Sequence, residues 1–178
     1  KKHAALVLAT MAIIVTLPFA AVFAMGGSVL TFLSGVPSIE AAESQGFYMG
    51  GPVEGDTYAW GNCTYWAFAL RLWSGHPIST SWGNADTWDD RAINDGYVVD
   101  HTPAAGTVFQ TDSGKWGHVA YVTDVNEQSG QWTISEMNYL GLNIVSKRTF
   151  TREAAASYTF IHGKKGEAPW SPQPILIP

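Results

Sequence analysis

The spacing of hydrophobic residues changes several times along the chain, and each change marks a different kind of segment. From Ala4 to Ala24 nearly every position is apolar, and no Asp, Glu, Lys or Arg occurs between Lys2 and Glu40. A run of roughly 20 apolar residues can cross a bilayer as a helix, and Lys1 and Lys2 ahead of it favour leaving that end in the cytoplasm. Apolar character continues through Val29, Leu30, Phe32 and Leu33, longer than a signal peptide needs, which favours a permanent anchor. Pro18 followed by Val22-Phe23-Ala24 keeps a cleaved signal as the alternative. Residues 1–34 are therefore expected to deliver the rest of the chain to the outside, tethered or released. Residues 35–55 are rich in Gly, Pro, Ser and Glu, show no period, and read as a linker.

A helical period then sets in. Cys63, Trp66, Ala67, Leu70 and Trp73 follow the i, i+3, i+4, i+7 rule, with Asn62 in the N-cap position and Gly75 and Pro77 as stops. Cys63 should thus stand in the first turn of a core-facing helix. A second helix is predicted over residues 85–94, capped by Asn84, with Asp86, Asp89 and Asp90 at its positive end and Gly96 past its last turn. Beyond Gly106 the period shortens to two. Segments 107–111, 117–123, 132–136, 143–150 and 158–162 carry β-branched and aromatic residues between turn signals, which predicts an antiparallel sheet of about five strands. N-terminal helices packed on such a sheet make an α+β domain, expected over residues 56–163. Residues 152–157 read as a helical turn, and residues 164–178 as a Pro-rich tail.

Composition narrows the function. A net charge of −5 without a basic cluster argues against nucleic acid as a partner. The chain has one cysteine, which permits neither an internal disulfide nor a Cys-based zinc site. A free thiol in an exported protein invites oxidation, so its presence points to use rather than packing. The acids from Asp86 to Tyr97 lack the alternating ligands and distal Glu of an EF-hand loop, and neither a metal site nor a cofactor is expected.

The candidate chemistry is nucleophilic. A helix N-terminus lowers the pKa of a thiol, so Cys63 is the candidate nucleophile. His118 lies mid-segment in Trp116-Gly117-His118-Val119-Ala120-Tyr121-Val122 and is the candidate base. Alternation puts His118, Ala120 and Val122 on one strand face, expected to be the face covered by the cysteine helix. Glu136, on the next strand, is the best placed acid to orient the imidazole, and Asn138 shares its face. His76, His101 and His162 sit in turns or at a strand end and are poorer candidates.

The segments Gly61-Asn62-Cys63-Thr64-Tyr65-Trp66, Gly117-His118-Val119-Ala120-Tyr121-Val122 and Glu136-Met137-Asn138-Tyr139 resemble the three motif blocks of CHAP domains, the cysteine, histidine-dependent amidohydrolases/peptidases related to the NlpC/P60 proteins. The resemblance covers about Tyr58 to Gly163. It implies a papain-like fold, hydrolysis of an amide bond in bacterial peptidoglycan, and roles for Cys63 as nucleophile, His118 as base, Glu136 as orienter and Asn138 as an assisting group. It does not separate an N-acetylmuramoyl-L-alanine amidase from an endopeptidase. Some family members bind calcium through an acidic loop before the cysteine; here only Glu54 and Asp56 are near, and no such site is expected. The Cys63 N–H and the Tyr58 hydroxyl are the expected oxyanion donors, and Trp82, Trp116 and Tyr139 the expected groove-lining aromatics. An anchored hydrolase suits local wall opening for an envelope-spanning secretion or conjugation machine. The non-enzymatic alternative is a silent, membrane-tethered wall-binding or scaffold module.

Overall fold

The computed structural model describes residues 46–48 and 50–167. The apolar segment 1–34, much of the linker and the tail beyond Glu167 lie outside the described residues. Among the described residues no helix is long and apolar enough to cross a membrane. Helix α1 runs Cys63–Trp73, a 3-10 turn spans Ala85–Thr87, and α2 follows at Trp88–Asn94. The strands are β1 Tyr97–Asp100, β2 Val108–Thr111, β3 His118–Val125, β4 Trp132–Met137, β5 Val145–Phe150 and β6 Thr159–Lys164. They form one antiparallel sheet in the order β1-β6-β2-β3-β4-β5.

This is the α+β arrangement expected, with one strand more. The extra strand, β1, is four residues long and follows Gly96 directly, too short to show a period in sequence; it pairs with β6 through Val99 and Ile161. The predicted helix over 85–94 divides into the 3-10 turn and α2, and the Asp86 N–H, which has no acceptor within the first turn, donates to the Trp116 carbonyl at 3.0 Å. A second 3-10 segment, Arg152–Ser157, supplies the turn predicted before the last strand. Part of the stretch read as linker is packed. Phe47 bridges to Ile144, and Tyr48 and Val53 are buried against Tyr65 and Trp66 of α1, where the Tyr65 hydroxyl accepts from the Val53 N–H at 2.9 Å.

The sheet is buried on both faces, and its alternation sorts the core into two halves. On one face Val108, Val119, Tyr121, Met137 and Ile161 meet Ala67, Phe68, Trp66 and Leu70 of α1, with Trp82 and Trp88 filling the space beneath α2. Fully burying each large apolar side chain contributes about 1.5–3 kcal/mol before entropy is counted. On the other face Phe109, Ala120, Val122, Trp132, Ile134 and Phe160 pack under Phe150, Tyr158 and Ala155. This corrects one expectation: His118, Ala120 and Val122 do share a face, but α1 covers the opposite one, carrying Val119 and Tyr121. A period of two fixes which side chains travel together and not which way they point. The bulkier Val119 and Tyr121 fill the helix interface.

Candidate active site

Cys63 opens α1 and is partly exposed. Asn62 occupies the N-cap position with extended backbone, φ −98° and ψ 163°, yet its side chain makes no capping bond. Its Oδ1 instead accepts from Asn138 Nδ2 at 2.9 Å, while its own Nδ2 donates to the Ala59 carbonyl. The first-turn amides are thereby left for another acceptor. The Thr64 amide of that first turn, together with the Val119 amide from β3, favours the Cys63 thiolate.

His118 is the first residue of β3 and so stands at the end of the sheet, beside the start of α1. From there its ring reaches past the sheet edge to the thiol, although its strand face is the one turned from the helix. Gly117 makes this approach feasible: it has φ +69°, and a Cβ on it would lie 2.5 Å from the Asp86 nitrogen and 2.8 Å from the Thr111 carbonyl oxygen. His118 Nε2 meets Glu136 Oε2 at 2.9 Å. The ring's other nitrogen is left for Cys63, and the two side chains favour each other's charged forms.

Glu136 has no exposed surface, and a bare carboxylate there would cost several kcal/mol. Arg148 on β5 compensates it with a two-pronged pair, Nε to Oε1 at 2.7 Å and Nη2 to Oε2 at 2.8 Å, and Ser146 Oγ adds a bond to Oε1 at 3.3 Å. The Arg148 guanidinium also lies 3.8 Å over the Tyr139 ring, whose centroid is 5.9 Å from that of His118. Sequence reasoning missed Arg148. Part of its signal was present, since alternation puts Ser146 and Arg148 on the face of Glu136 on the neighbouring strand, but the need for a cation follows from the burial of Glu136, which only the fold reveals.

The electrostatics follow from these contacts. Burial opposes the Cys63 thiolate, but His118 and the Val119 and Thr64 amides outweigh it and hold the thiol below its ordinary value. Burial likewise opposes the His118 imidazolium, yet Cys63 and Glu136 push its pKa up to about 9. Burial would raise Glu136, and His118 and Arg148 together keep it below the usual carboxylate range. The shifts thus favour an alternating series along the contacts: thiolate, imidazolium, carboxylate and guanidinium.

Two clefts meet at His118. One, of about 430 Å³, is lined by Tyr58, Asn62, Cys63, Trp116, His118 and Asn138 among others. The second, of about 410 Å³, lies on the sheet face away from α1 and includes His118, Asn138, Tyr139, Arg148 and Tyr158. Trp116 and Tyr139 are 56% and 53% exposed, Trp116 on the wall of the first cleft and Tyr139 on that of the second. Trp82 does not: it is 1% exposed, packed against Trp88 and Tyr97, with its indole N–H on Asp95. Tyr58 borders the cleft, but its hydroxyl donates to the Ser79 carbonyl at 3.0 Å and accepts from the Trp82 N–H at 3.1 Å. Its one proton is committed, so it is not the free oxyanion donor anticipated. Asn138 is turned to Asn62 rather than to the imidazole, in a left-handed conformation with φ +62°.

A cysteine at the head of a helix, facing a histidine at the end of an antiparallel sheet, defines a papain-like α+β domain. Residues 53–138 match the CHAP domain family model. Among solved structures, an N-acetylmuramoyl-L-alanine amidase from Staphylococcus aureus superposes with a TM-score of 0.60 at 34% identity, over 68% of this chain and 36% of that one. The probable autolysin LDP of Staphylococcus aureus is 46% identical over 108 residues, which is 61% of this chain and 38% of the relative. The staphylococcal secretory antigen SsaA of Staphylococcus epidermidis is 45% identical over 109 residues, 61% of this chain and 41% of the relative. The chain thus spans about two fifths of the length of these curated relatives.

Proposed function

We propose that this domain hydrolyses an amide bond of bacterial peptidoglycan outside the cytoplasm, with Cys63 as nucleophile, His118 as acid and base, and Glu136 as the group that orients and charges the imidazole. The observation that carries the proposal is the continuous line of contacts from Cys63 through His118 to the buried Glu136, opening on a cleft. The autolysin and amidase names of the similar proteins support the same substrate class.

The chemistry runs in two displacements. The Cys63 thiolate adds to the amide carbonyl carbon, and its oxygen gathers negative charge. The Cys63 N–H, first in α1 and outside the helical ladder, is the donor for that oxygen. Collapse breaks the C–N bond as His118 passes its proton to the departing nitrogen, leaving a thioester and a neutral imidazole. A water then adds to the thioester carbonyl while His118 takes its proton. The second collapse expels the Cys63 sulfur as thiolate, freeing the acid and restoring the ion pair. Glu136 stays ionised throughout and stabilises the imidazolium on both legs.

The apolar segment 1–34 would bring the domain to its substrate as an anchor or as a cleaved signal, and the secretory name of one relative agrees with an extracytoplasmic site. Membrane attachment and service to a secretion or conjugation machine belong to this proposal and await their own tests. Cys63→Ala should leave the fold intact and end the release of soluble fragments from purified peptidoglycan. Digestion by that variant at the rate of the unaltered protein would refute the assignment. Mass spectrometry of the fragments separates amidase from endopeptidase cleavage.

A further inference from the structure

We infer that Arg148 is a positioning residue of the reaction, which through its two-pronged grip on Glu136 sets both the direction of the His118 ring and the pH at which that ring surrenders its proton. The inference rests on the reading of Cys63, His118 and Glu136 as the reacting set. It goes beyond that reading by adding a fourth group, from β5.

The geometry leaves Glu136 little freedom. Both carboxylate oxygens are engaged by Arg148, at 2.7 and 2.8 Å, and Oε2 is shared between Arg148 and His118. A planar guanidinium meeting a planar carboxylate through two bonds fixes the carboxylate plane, and the lone pair offered to His118 then has one direction. Arg148 is itself held from the other side by the Tyr139 ring at 3.8 Å. The line Tyr139–Arg148–Glu136–His118–Cys63 therefore crosses from β5 to the head of α1, with each group orienting the next.

The charge of Arg148 acts separately from its shape. The charged or titratable groups facing His118 are Cys63 from α1, Glu136 from β4 and Tyr139 from the loop after β4. Arg148 stands behind Glu136 on β5, and Asp86 on the 3-10 turn packs against Gly117. Glu136 would otherwise be a wholly buried anion whose one counter-charge is the imidazolium, and it would hold the His118 proton tightly. A second cation on the same carboxylate weakens that hold. His118 can then give its proton to the leaving nitrogen, and Glu136 stays charged after it has done so.

The test is a titration of the His118 ring by NMR in the full chain, with its signals assigned from the spectrum of His118→Gln, in the unaltered protein, Arg148→Gln and Arg148→Lys. Removing the cation should move the His118 midpoint upward by about one pH unit, a tenfold change in its protonation equilibrium. The kcat on peptidoglycan should fall at least about tenfold with little change in KM. Arg148→Lys keeps the charge and loses the fork. It should return the midpoint to that of the unaltered protein while recovering only part of kcat. A His118 midpoint unmoved in folded Arg148→Gln overturns the inference, as does full kcat in Arg148→Lys. Should Arg148→Gln fail to fold, Arg148→Lys alone decides on the same criterion. The titration needs no turnover: if the unaltered protein releases nothing from peptidoglycan yet the midpoint moves as expected, the proposed function falls and the role of Arg148 in tuning His118 stands.

Discussion

Asn138 donates from its side-chain amide to Asn62 Oδ1 at 2.9 Å, tying the residue after β4 to the one before Cys63. The two ends of the cleft wall are joined by that bond, and Asn138 holds it from φ +62°, where a side chain with a Cβ is strained. Asn138→Gly and Asn138→Ala should therefore part company. Both lose the bond and should lose hydrolysis alike, but the alanine variant should be less stable than the glycine variant by about 1 kcal/mol. Urea denaturation of the pair measures the difference, and equal stabilities would show that the backbone relaxes.

The pKa directions at the site fix a pH profile. Cys63 is held below its ordinary value of 9.0, so alkylation of the thiol near pH 7 should be much faster than for an ordinary free cysteine. Hydrolysis should fall as pH rises through about 9, where the His118 imidazolium loses its proton. Stability moves the same way. A folded-state pKa raised from 6.5 gives a contribution fully present below pH 6.5 and lost as pH climbs through about 9. Glu136, lowered from 4.5, contributes stability above that value that is lost as pH falls through its folded pKa. Denaturation midpoints across this range, compared with His118→Gln, give the check: the variant should lack the alkaline loss.

Tyr58→Phe separates a structural hydroxyl from a catalytic one. The hydroxyl bridges Ser79 and Trp82, so its removal leaves the Trp82 N–H without a partner and should cost about 1–2 kcal/mol. Hydrolysis should stay within about twofold of the unaltered rate, since one oxyanion donor is otherwise worth about 100-fold or more. A fall of that size would restore Tyr58 to the reaction.

Gly117→Ala should be poorly tolerated. The added carbon would press on the Asp86 backbone at 2.5 Å and on the Thr111 carbonyl at 2.8 Å, at a backbone angle that alanine also resists. A loss of about 3 kcal/mol or more is expected from the clash and strain together, read by thermal or urea unfolding. Wild-type stability would mean that the 3-10 turn at Ala85–Thr87 moves aside.

The sequence carried the periods well and the directions poorly. Trp66, Ala67 and Leu70 announced α1 through their spacing, and five of the strands announced themselves through alternation, because burial imposes those periods on the residues directly. Strand β1 was hidden because four residues after a helix are too few to show a period. The face of His118 was misjudged for a related reason: alternation is unchanged when a strand is turned over. Cys63, His118 and Glu136 were legible as chemistry-bearing types in suitable elements. Trp82 and Tyr58 were not, since nothing local distinguishes a tryptophan on a cleft wall from one in the core, or a free hydroxyl from one already bonded. Arg148 required knowing that Glu136 is buried, which is a property of the folded sheet.

The partly exposed Cys63 has a further consequence, one of lifespan. A thiol whose ionised form is favoured is as open to oxidants as to carbonyl carbons, and its first oxidation product, a sulfenic acid, is ordinarily rescued by condensing with a second thiol. This chain has no other cysteine to offer. Once oxidised, the sulfur must borrow a reductant or thiol from elsewhere or proceed to sulfinic acid, so the activation that would make each molecule an effective hydrolase also sets the time for which it can remain one.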